Sequence, residues 1–101
     1  MKSIKRIATA FVLIAAVTAP AWAYAGSQYA GQAKVSLTQA RGIAVKAYPG
    51  KIASQALEKE KGGSGLRYSF VIQHGAIKHE VGVDAASGKV LQNMPENANA
   101  D

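Results

Sequence analysis

Two stretches in the middle of the chain alternate between apolar and other side chains, and this alternation restricts the fold more than any other feature. The apolar positions of the first stretch are Leu66, Tyr68, Phe70 and Ile72. The same face of the second stretch carries Ile77, His79, Val81 and Val83. Period-two alternation is typical of strands with one buried face. A two-residue turn at His74-Gly75 would pair Ile72 with Ile77, and a two-residue shift of this register keeps the same faces.

A helix precedes these strands. Ser36 is a suitable N-cap, and Gln39 completes a capping box. The apolar positions then follow a helical spacing, at Leu37, Ala40, Ile43, Ala44 and Ala47. Gly42 lowers the helix propensity by about 1 kcal/mol relative to alanine, and a close approach to the sheet is one reason for a glycine there. Pro49-Gly50 predicts the end of the helix.

Two further strands are predicted around the hairpin. Residues 51–61 form a less regular first strand, with Leu57 as its clearest core residue, and residues 62–65 form a flexible turn. After a third turn at residues 84–88, residues 89–93 form a short last strand. The sequence therefore predicts an α+β fold with one N-terminal helix packed on one face of a three- to four-stranded antiparallel sheet.

The first 25 residues have the three parts of a cleavable signal peptide. Its positive charges are Lys2, Lys5 and Arg6. The uncharged run at residues 7–19 is shorter than the roughly 20 residues that a spanning helix needs. Two A-x-A matches place the cleavage after Ala23 or Ala25. We therefore expect an exported protein, periplasmic or secreted, with no membrane span after cleavage.

The rest of the chain divides into three parts. Residues 26–34 are expected to form a flexible lead-in, residues 35–93 a single domain, and residues 94–101 a disordered tail. Three of the 12 basic residues belong to the signal peptide, which leaves nine basic against six acidic side chains. No basic stripe remains, so nucleic acid is not an expected partner. The chain has no cysteine, so this small core depends on packing, on a partner or on a weak homodimer.

Several short motifs occur in a fixed order within the domain. They are Leu37-Thr38-Gln39-Ala40, Ala47-Tyr48-Pro49-Gly50, Ala56-Leu57-Glu58, Tyr68 with Val71, and the run VGVDAASGKV at residues 81–90. Together they resemble the PepSY domain family, whose last motif reads V-x-V-D-A-x-T-G-K-V. Ser87 stands where the family has threonine, and His79 stands where the family often has an aromatic residue.

The resemblance implies a function only through the proteins in which PepSY domains occur. It implies no catalytic residues. PepSY domains occur in propeptides of thermolysin-like metalloproteases, in a regulator of spore cortex lysis, and as small exported stand-alone proteins. The family is proposed to inhibit or modulate peptidases. The family-motif residues, expected to have structural roles, are Pro49, Gly50, Tyr68, Val83, Asp84, Gly88 and Lys89.

The two histidines are the first candidates for a metal site. A zinc-like site would need a third ligand beside His74 and His79, such as Glu80. In the predicted register His74 lies in the turn, His79 points into the apolar face to pack on Phe70, and Glu80 points the other way. We therefore predict no metal site.

A catalytic site or a phosphate-binding loop is not expected either. Ser64 lies in a flexible turn rather than in a G-x-S-x-G elbow between a strand and a helix, and the glycines around it do not precede a helix as a phosphate loop would. Glu58 and Glu60 alternate with lysines, which is typical of a solvated strand end. We predict no enzymatic activity and no cofactor.

The expected function is therefore that of an exported, non-catalytic binding module. It would modulate or inhibit a peptidase or another envelope partner by occlusion, either through an exposed edge at the first or last strand or through a surface patch. Two alternatives remain. One is a structural or self-associating envelope protein, and the other is a carrier of a small ligand or metal.

Overall fold

The computed structural model describes residues 24–96, so the predicted signal peptide up to Ala23 and residues 97–101 of the predicted tail lie outside the described residues. The elements are a 3₁₀ helix (Ser27–Gln32), α1 (Leu37–Ala47), β1 (Lys51–Lys59), β2 (Leu66–His74), β3 (Ile77–Asp84) and β4 (Val90–Pro95). The strands form one antiparallel sheet in the order β1-β2-β3-β4, and α1 packs against it. The predicted α+β class is confirmed, with four strands.

The start of α1 follows the prediction from the sequence. The Ser36 hydroxyl oxygen accepts a hydrogen bond from the Gln39 amide at 3.1 Å, and the Gln39 side-chain oxygen accepts one from the Ser36 amide at 2.9 Å. This capping box satisfies two amides that the first turn of a helix leaves without partners. The predicted stripe also faces the sheet, since Ala40 and Ala44 are completely buried.

Gly42 does not have the role expected for it. It is exposed on α1, and a Cβ atom added there would meet nothing within 4 Å. The sheet therefore does not require a glycine at this position, and close approach to the sheet is not the reason for it. The close contact between helix and sheet is made by the two buried alanines instead.

The core lies between α1 and the alternating apolar face of the sheet. Its members are Ala40, Ala44, Leu57, Leu66, Tyr68, Phe70, Ile72, Val81, Val83 and Ala85. The strict alternation of buried positions along β2 agrees with the predicted faces. Leu57, predicted as the core residue of the first strand, is 2 % exposed.

The register of the β2–β3 hairpin differs from the first prediction by two residues. The loop residues are Gly75 and Ala76, His74 pairs with Ile77, and Ile72 pairs with His79. Gly75 supplies the positive φ of 63° at the start of the loop, and His74 remains in the strand. The faces are the predicted ones, because a shift of two residues preserves them.

Regular structure extends beyond the predicted domain at both ends. The lead-in, expected to be flexible, contains the 3₁₀ helix, and Ala25 forms an isolated parallel bridge with Ala56 of β1. At the other end β4 continues to Pro95, two residues past the predicted strand. No helix within residues 24–96 is long and apolar enough to cross a membrane.

Candidate interaction face

One face of the sheet carries α1, and no described helix covers the other. The 3₁₀ helix lies on the side of α1, since the two helices line a common groove. We call ten of the residues that the register places on the uncovered side the open face: Ser54, Ala56, Glu58, Arg67, Ser69, Val71, Glu80, Gly82, Gln92 and Met94. A sheet that buries one face and leaves the other uncovered has a ready surface for a partner.

The centre of the open face is built from small residues. Ala56 pairs with Ser69, and Ser69 pairs with Gly82, so three small residues lie side by side across β1, β2 and β3. The Arg67 side chain lies across Gly82, where an added Cβ would come within 2.8 Å of the Arg67 Cδ atom. A side chain at residue 82 would displace Arg67, so glycine keeps this part of the face flat.

Hydrogen bonds hold the polar side chains of this face in place. The Ser69 hydroxyl donates to Glu58 Oε1 at 2.9 Å. Arg67 donates through Nη1 to Gln92 Oε1 at 3.3 Å and through Nη2 to the Lys61 carbonyl at 2.9 Å. Side chains that are already ordered lose less conformational entropy when a partner covers them.

The next row across the sheet combines apolar and charged side chains. Val71 and Met94 are half-buried, and the register places Glu80 between them. Such a mixture of apolar area and polar groups is compatible with a surface that binds other proteins reversibly. A flat face offers no cavity for a small ligand, which such ligands usually require.

Both edges of the sheet are protected. On β1 the pairing shifts between Ile52 and Ser54, and the Leu57 amide donates to the Ala25 carbonyl at 2.8 Å. On β4 the pairing also shifts, and the strand ends at Pro95. Bulges, prolines and covering segments are the devices by which proteins prevent edge pairing. This arrangement disfavours the edge-pairing mode of docking that the sequence left open.

The VGVDAASGKV motif forms a turn around the buried carboxylate of Asp84. Asp84 Oδ1 accepts hydrogen bonds from the Ser64 amide (2.7 Å) and hydroxyl (2.9 Å). Asp84 Oδ2 accepts from the Ala86 amide (3.2 Å), the Ser87 amide (2.9 Å) and the Ser87 hydroxyl (3.0 Å). These bonds join the β1–β2 turn to the β3–β4 turn.

The electrostatics of Asp84 follow from these contacts. Burial by itself raises the pKa of a carboxyl group, but the hydrogen bonds from Ser64 and Ser87 outweigh it and hold the pKa of Asp84 well below its usual range. Asp84 is therefore an ionised structural anchor. Ser87 supplies the hydroxyl group that threonine supplies in the family motif.

The other family-motif residues lie around the same core. Tyr68 donates its hydroxyl to the Val35 carbonyl at 2.7 Å, and Val83 is buried beside it in the sheet. Gly88 has a φ of 79°, and the Lys89 carbonyl accepts the Asp84 amide at 2.8 Å. Pro49 and Gly50 form the connection from α1 to β1.

The histidines are arranged differently from the prediction. The His79 ring stacks on Tyr48, with centroids 3.7 Å apart, and not on Phe70. Its Nδ1 atom lies 2.8 Å from Asn93 Oδ1, while His74, which ends β2, has Nδ1 2.9 Å from the Pro49 carbonyl. Within residues 24–96 there is no group of three or more side chains that could hold a metal ion.

The remaining candidate residues serve the turns and the open face. Ser64, expected in a flexible turn, is held by Asp84, and Glu58 accepts the Ser69 hydroxyl. Glu60 lies just after β1, where its amide donates to the Gly65 carbonyl at 3.1 Å. Glu60 therefore lies outside the strand that carries Glu58.

A groove that the sequence did not predict lies between the 3₁₀ helix and the N-terminal half of α1, with a volume of about 810 Å³. Its lining residues are Tyr24, Ser27, Gln28, Ala30, Ser36, Leu37, Thr38 and Arg41. The groove exists because the lead-in docks on β1, and no local sequence pattern indicates that docking.

Comparison with known proteins identifies the family. Residues 34–92 match the model of the PepSY family, described as peptidase propeptide and YPEB domain. The match covers more than half of the chain, so the protein belongs to the PepSY family. Members of this family are protein-interaction modules, typically extracellular or periplasmic. No curated protein and no solved structure matches the chain.

Proposed function

We propose that this protein is an exported, non-catalytic binding module that modulates or inhibits a peptidase, or another protein of the cell envelope, by covering part of its surface. The observation that carries the proposal is the flat open face in a domain of the peptidase propeptide family. Half-buried apolar groups and fixed polar groups on that face suit contact with a folded partner.

The protected edges support docking through the face rather than through added strands. At β1 the Ala25 carbonyl already accepts the Leu57 amide, and β4 is short and ends in a proline. The covered stretch of β1 around Leu57, and the shifted pairing and terminal proline of β4, make either strand a poor template for an extended peptide. The open face needs no free main-chain groups, because side chains make the contact.

Export is the second part of the proposal and rests on the sequence. The charged start, the apolar run at residues 7–19 and the A-x-A matches support a signal peptide. The absence of cysteine is compatible with an oxidising compartment, since no free thiol has to be protected there. A partner outside the cytoplasm follows from this part of the proposal.

The test uses a charge placed on the open face. Val71→Lys puts an ammonium group on the open face, in the row beside its small-residue centre, and Gly42→Lys adds the same charge on the exposed side of α1. The wild-type protein at micromolar concentration should change the proteolysis of casein by the exported protein fraction of its own cell. Val71→Lys should need at least about tenfold more protein for the same effect, a loss of about 1.4 kcal/mol, and Gly42→Lys should match the wild type.

The same samples distinguish the alternatives. Circular dichroism melting checks that both variants remain folded. Equal activity of Val71→Lys and the wild type would exclude the open face as the docking surface. If the wild type neither alters proteolysis nor forms a complex with an exported protein, peptidase modulation is contradicted, and sedimentation then tests self-association.

A further inference from the structure

The two cleavage positions that the sequence leaves open differ by Tyr24 and Ala25, and both of these residues belong to the folded domain. The Ala25 carbonyl accepts the Leu57 amide at 2.8 Å, and Ala25 forms a parallel bridge with Ala56. The amide of Leu57 points away from β2, so Ala25 satisfies a donor on the outer edge of β1. Cleavage after Ala25 would remove that acceptor from the mature protein.

Gly26 shows how closely this segment follows β1. Its φ of 84° lies in the left-handed region, and an added Cβ atom would fall on the Leu57 carbonyl oxygen. Only glycine combines this backbone conformation with this contact. The chain is therefore shaped to run against the strand immediately after Ala25.

Tyr24 contributes contacts of its own. Its carbonyl accepts the Ser27 amide at 2.9 Å at the start of the 3₁₀ helix, and its side chain packs against the core. Burial, followed by the neighbouring Tyr24 hydroxyl, raises the pKa of Tyr68. The Tyr68 hydroxyl in turn donates to the Val35 carbonyl, so Tyr24 lies beside the bond that joins the residue before the N-cap of α1 to the sheet.

We infer that the mature protein begins at Tyr24, because the leader is cut after Ala23 and residues 24 and 25 complete the edge of β1. In this step water adds to the Ala23 carbonyl carbon and the bond to the Tyr24 nitrogen breaks. The leader leaves with a carboxylate on Ala23, and Tyr24 gains an α-amino group. The inference rests on the proposed export, and it selects one of two cleavage sites that the leader sequence allows equally.

The consequence for the sheet is direct. A chain that began at Gly26 would place its charged α-amino group beside β1 and leave the Leu57 amide without its acceptor. The outer edge of β1 would then be open to pairing with another chain. A chain that begins at Tyr24 keeps this edge covered.

The first experiment is the intact mass of the protein recovered from the exported fraction of cells that express the full chain. We expect the mass of residues 24–101. The mass of residues 26–101 would overturn the inference while leaving the proposed export intact. Recovery of the full-length chain alone would contradict the export and the inference together.

The second experiment compares chains 24–101 and 26–101, each released from a fusion partner with its native N-terminus. Chain 26–101 should melt about 4 to 8 °C lower, and its Leu57 amide should exchange with deuterium faster by about an order of magnitude. Tyr24→Ala in the longer chain should lower the melting temperature but keep the Leu57 amide protected. Identical melting and exchange of the two chains would overturn the inference.

Discussion

At the scale of single residues, Asp84 contributes an unusually large number of contacts. One carboxylate collects hydrogen bonds from two segments, Ser64 in the first turn and Ala86 and Ser87 in the last. A buried charge is costly unless such bonds satisfy it. Five hydrogen-bond donors converge on the two carboxylate oxygens, and they stabilise the charge without a cationic side chain among the described residues. The side chain therefore orders two turns that lie twenty residues apart in the chain.

We expect Asp84→Asn to lower the free energy of unfolding by about 2 to 4 kcal/mol, because hydrogen bonds to a charged group are lost and an amide group then faces donors. Urea unfolding at neutral pH measures this difference. Ser87→Thr restores the family residue and is the control, with an expected change within about 0.5 kcal/mol. A cost below 1 kcal/mol for Asp84→Asn would contradict the assigned role.

The stability difference between the wild type and Asp84→Asn should also depend on pH. The folded pKa of Asp84 is lowered below the unfolded value of about 3.9. Its contribution is therefore complete above the unfolded pKa and is lost as the pH falls through the folded pKa. The stability difference between the wild type and Asp84→Asn should be constant above about pH 5 and shrink below about pH 4. A constant difference down to pH 2 would show that Asp84 does not titrate as proposed.

At the scale of elements, what could be predicted depended on whether the signal was local. The capping box of Ser36 and Gln39 is contained within four residues, and it forms as predicted. The faces of β2 and β3 follow from alternation, but the register does not, since His74 can lie in the turn or in the strand without changing any face. The lead-in has no periodicity, and its order comes from the contact of Gly26 with β1.

The open face likewise combines features that local sequence predicts with features that depend on the tertiary structure. Alternation assigns Arg67, Ser69 and Val71 to the side away from the core, and this assignment needs only the sequence. Which strands lie beside them depends on strand order, and so does the row of small residues that includes Gly82. The hydrogen bond from Ser64 to Asp84 could not be predicted from local sequence either, because it is a tertiary contact between two loops.

The stability of α1 can be tested by a substitution at Gly42. Gly42→Ala should raise the free energy of unfolding by about 0.5 to 1 kcal/mol, because alanine has the higher helix propensity and the added Cβ meets no neighbour. Thermal melting measures the change. Gly50→Ala is the contrasting variant, since a Cβ there would come within 2.8 Å of the Ile72 Cγ2 atom, and it should be destabilising. A neutral or destabilising Gly42→Ala would contradict the open surroundings described for this residue.

At the scale of the whole molecule, two layers meet through very small helix side chains. Ala40 and Ala44 are both completely buried against a sheet face of larger residues such as Phe70 and Ile72. At its two fully buried positions the helix therefore presents only methyl groups to the sheet. A chain without disulfides has to obtain its stability from this close packing.

The packing can be tested by enlarging one of the two alanines. Ala44→Leu should lower the free energy of unfolding by about 1 to 3 kcal/mol, because the layers have to separate or the side chains have to leave their preferred rotamers. Chemical denaturation measures the change, and Lys46→Leu, at an exposed position of the same helix, is the control. Equal stability of the two variants would contradict a close contact at Ala44.

The strand order has a consequence for how the chain acquires its structure. In the order β1-β2-β3-β4 every strand lies beside its neighbour in the sequence, so each hairpin closes only a short loop, which lowers the contact order of the sheet. Low contact order is associated with rapid folding. A chain that emerges N-terminus first can therefore form each hairpin as soon as its second strand has emerged, with α1 and β1 available before the last strand arrives.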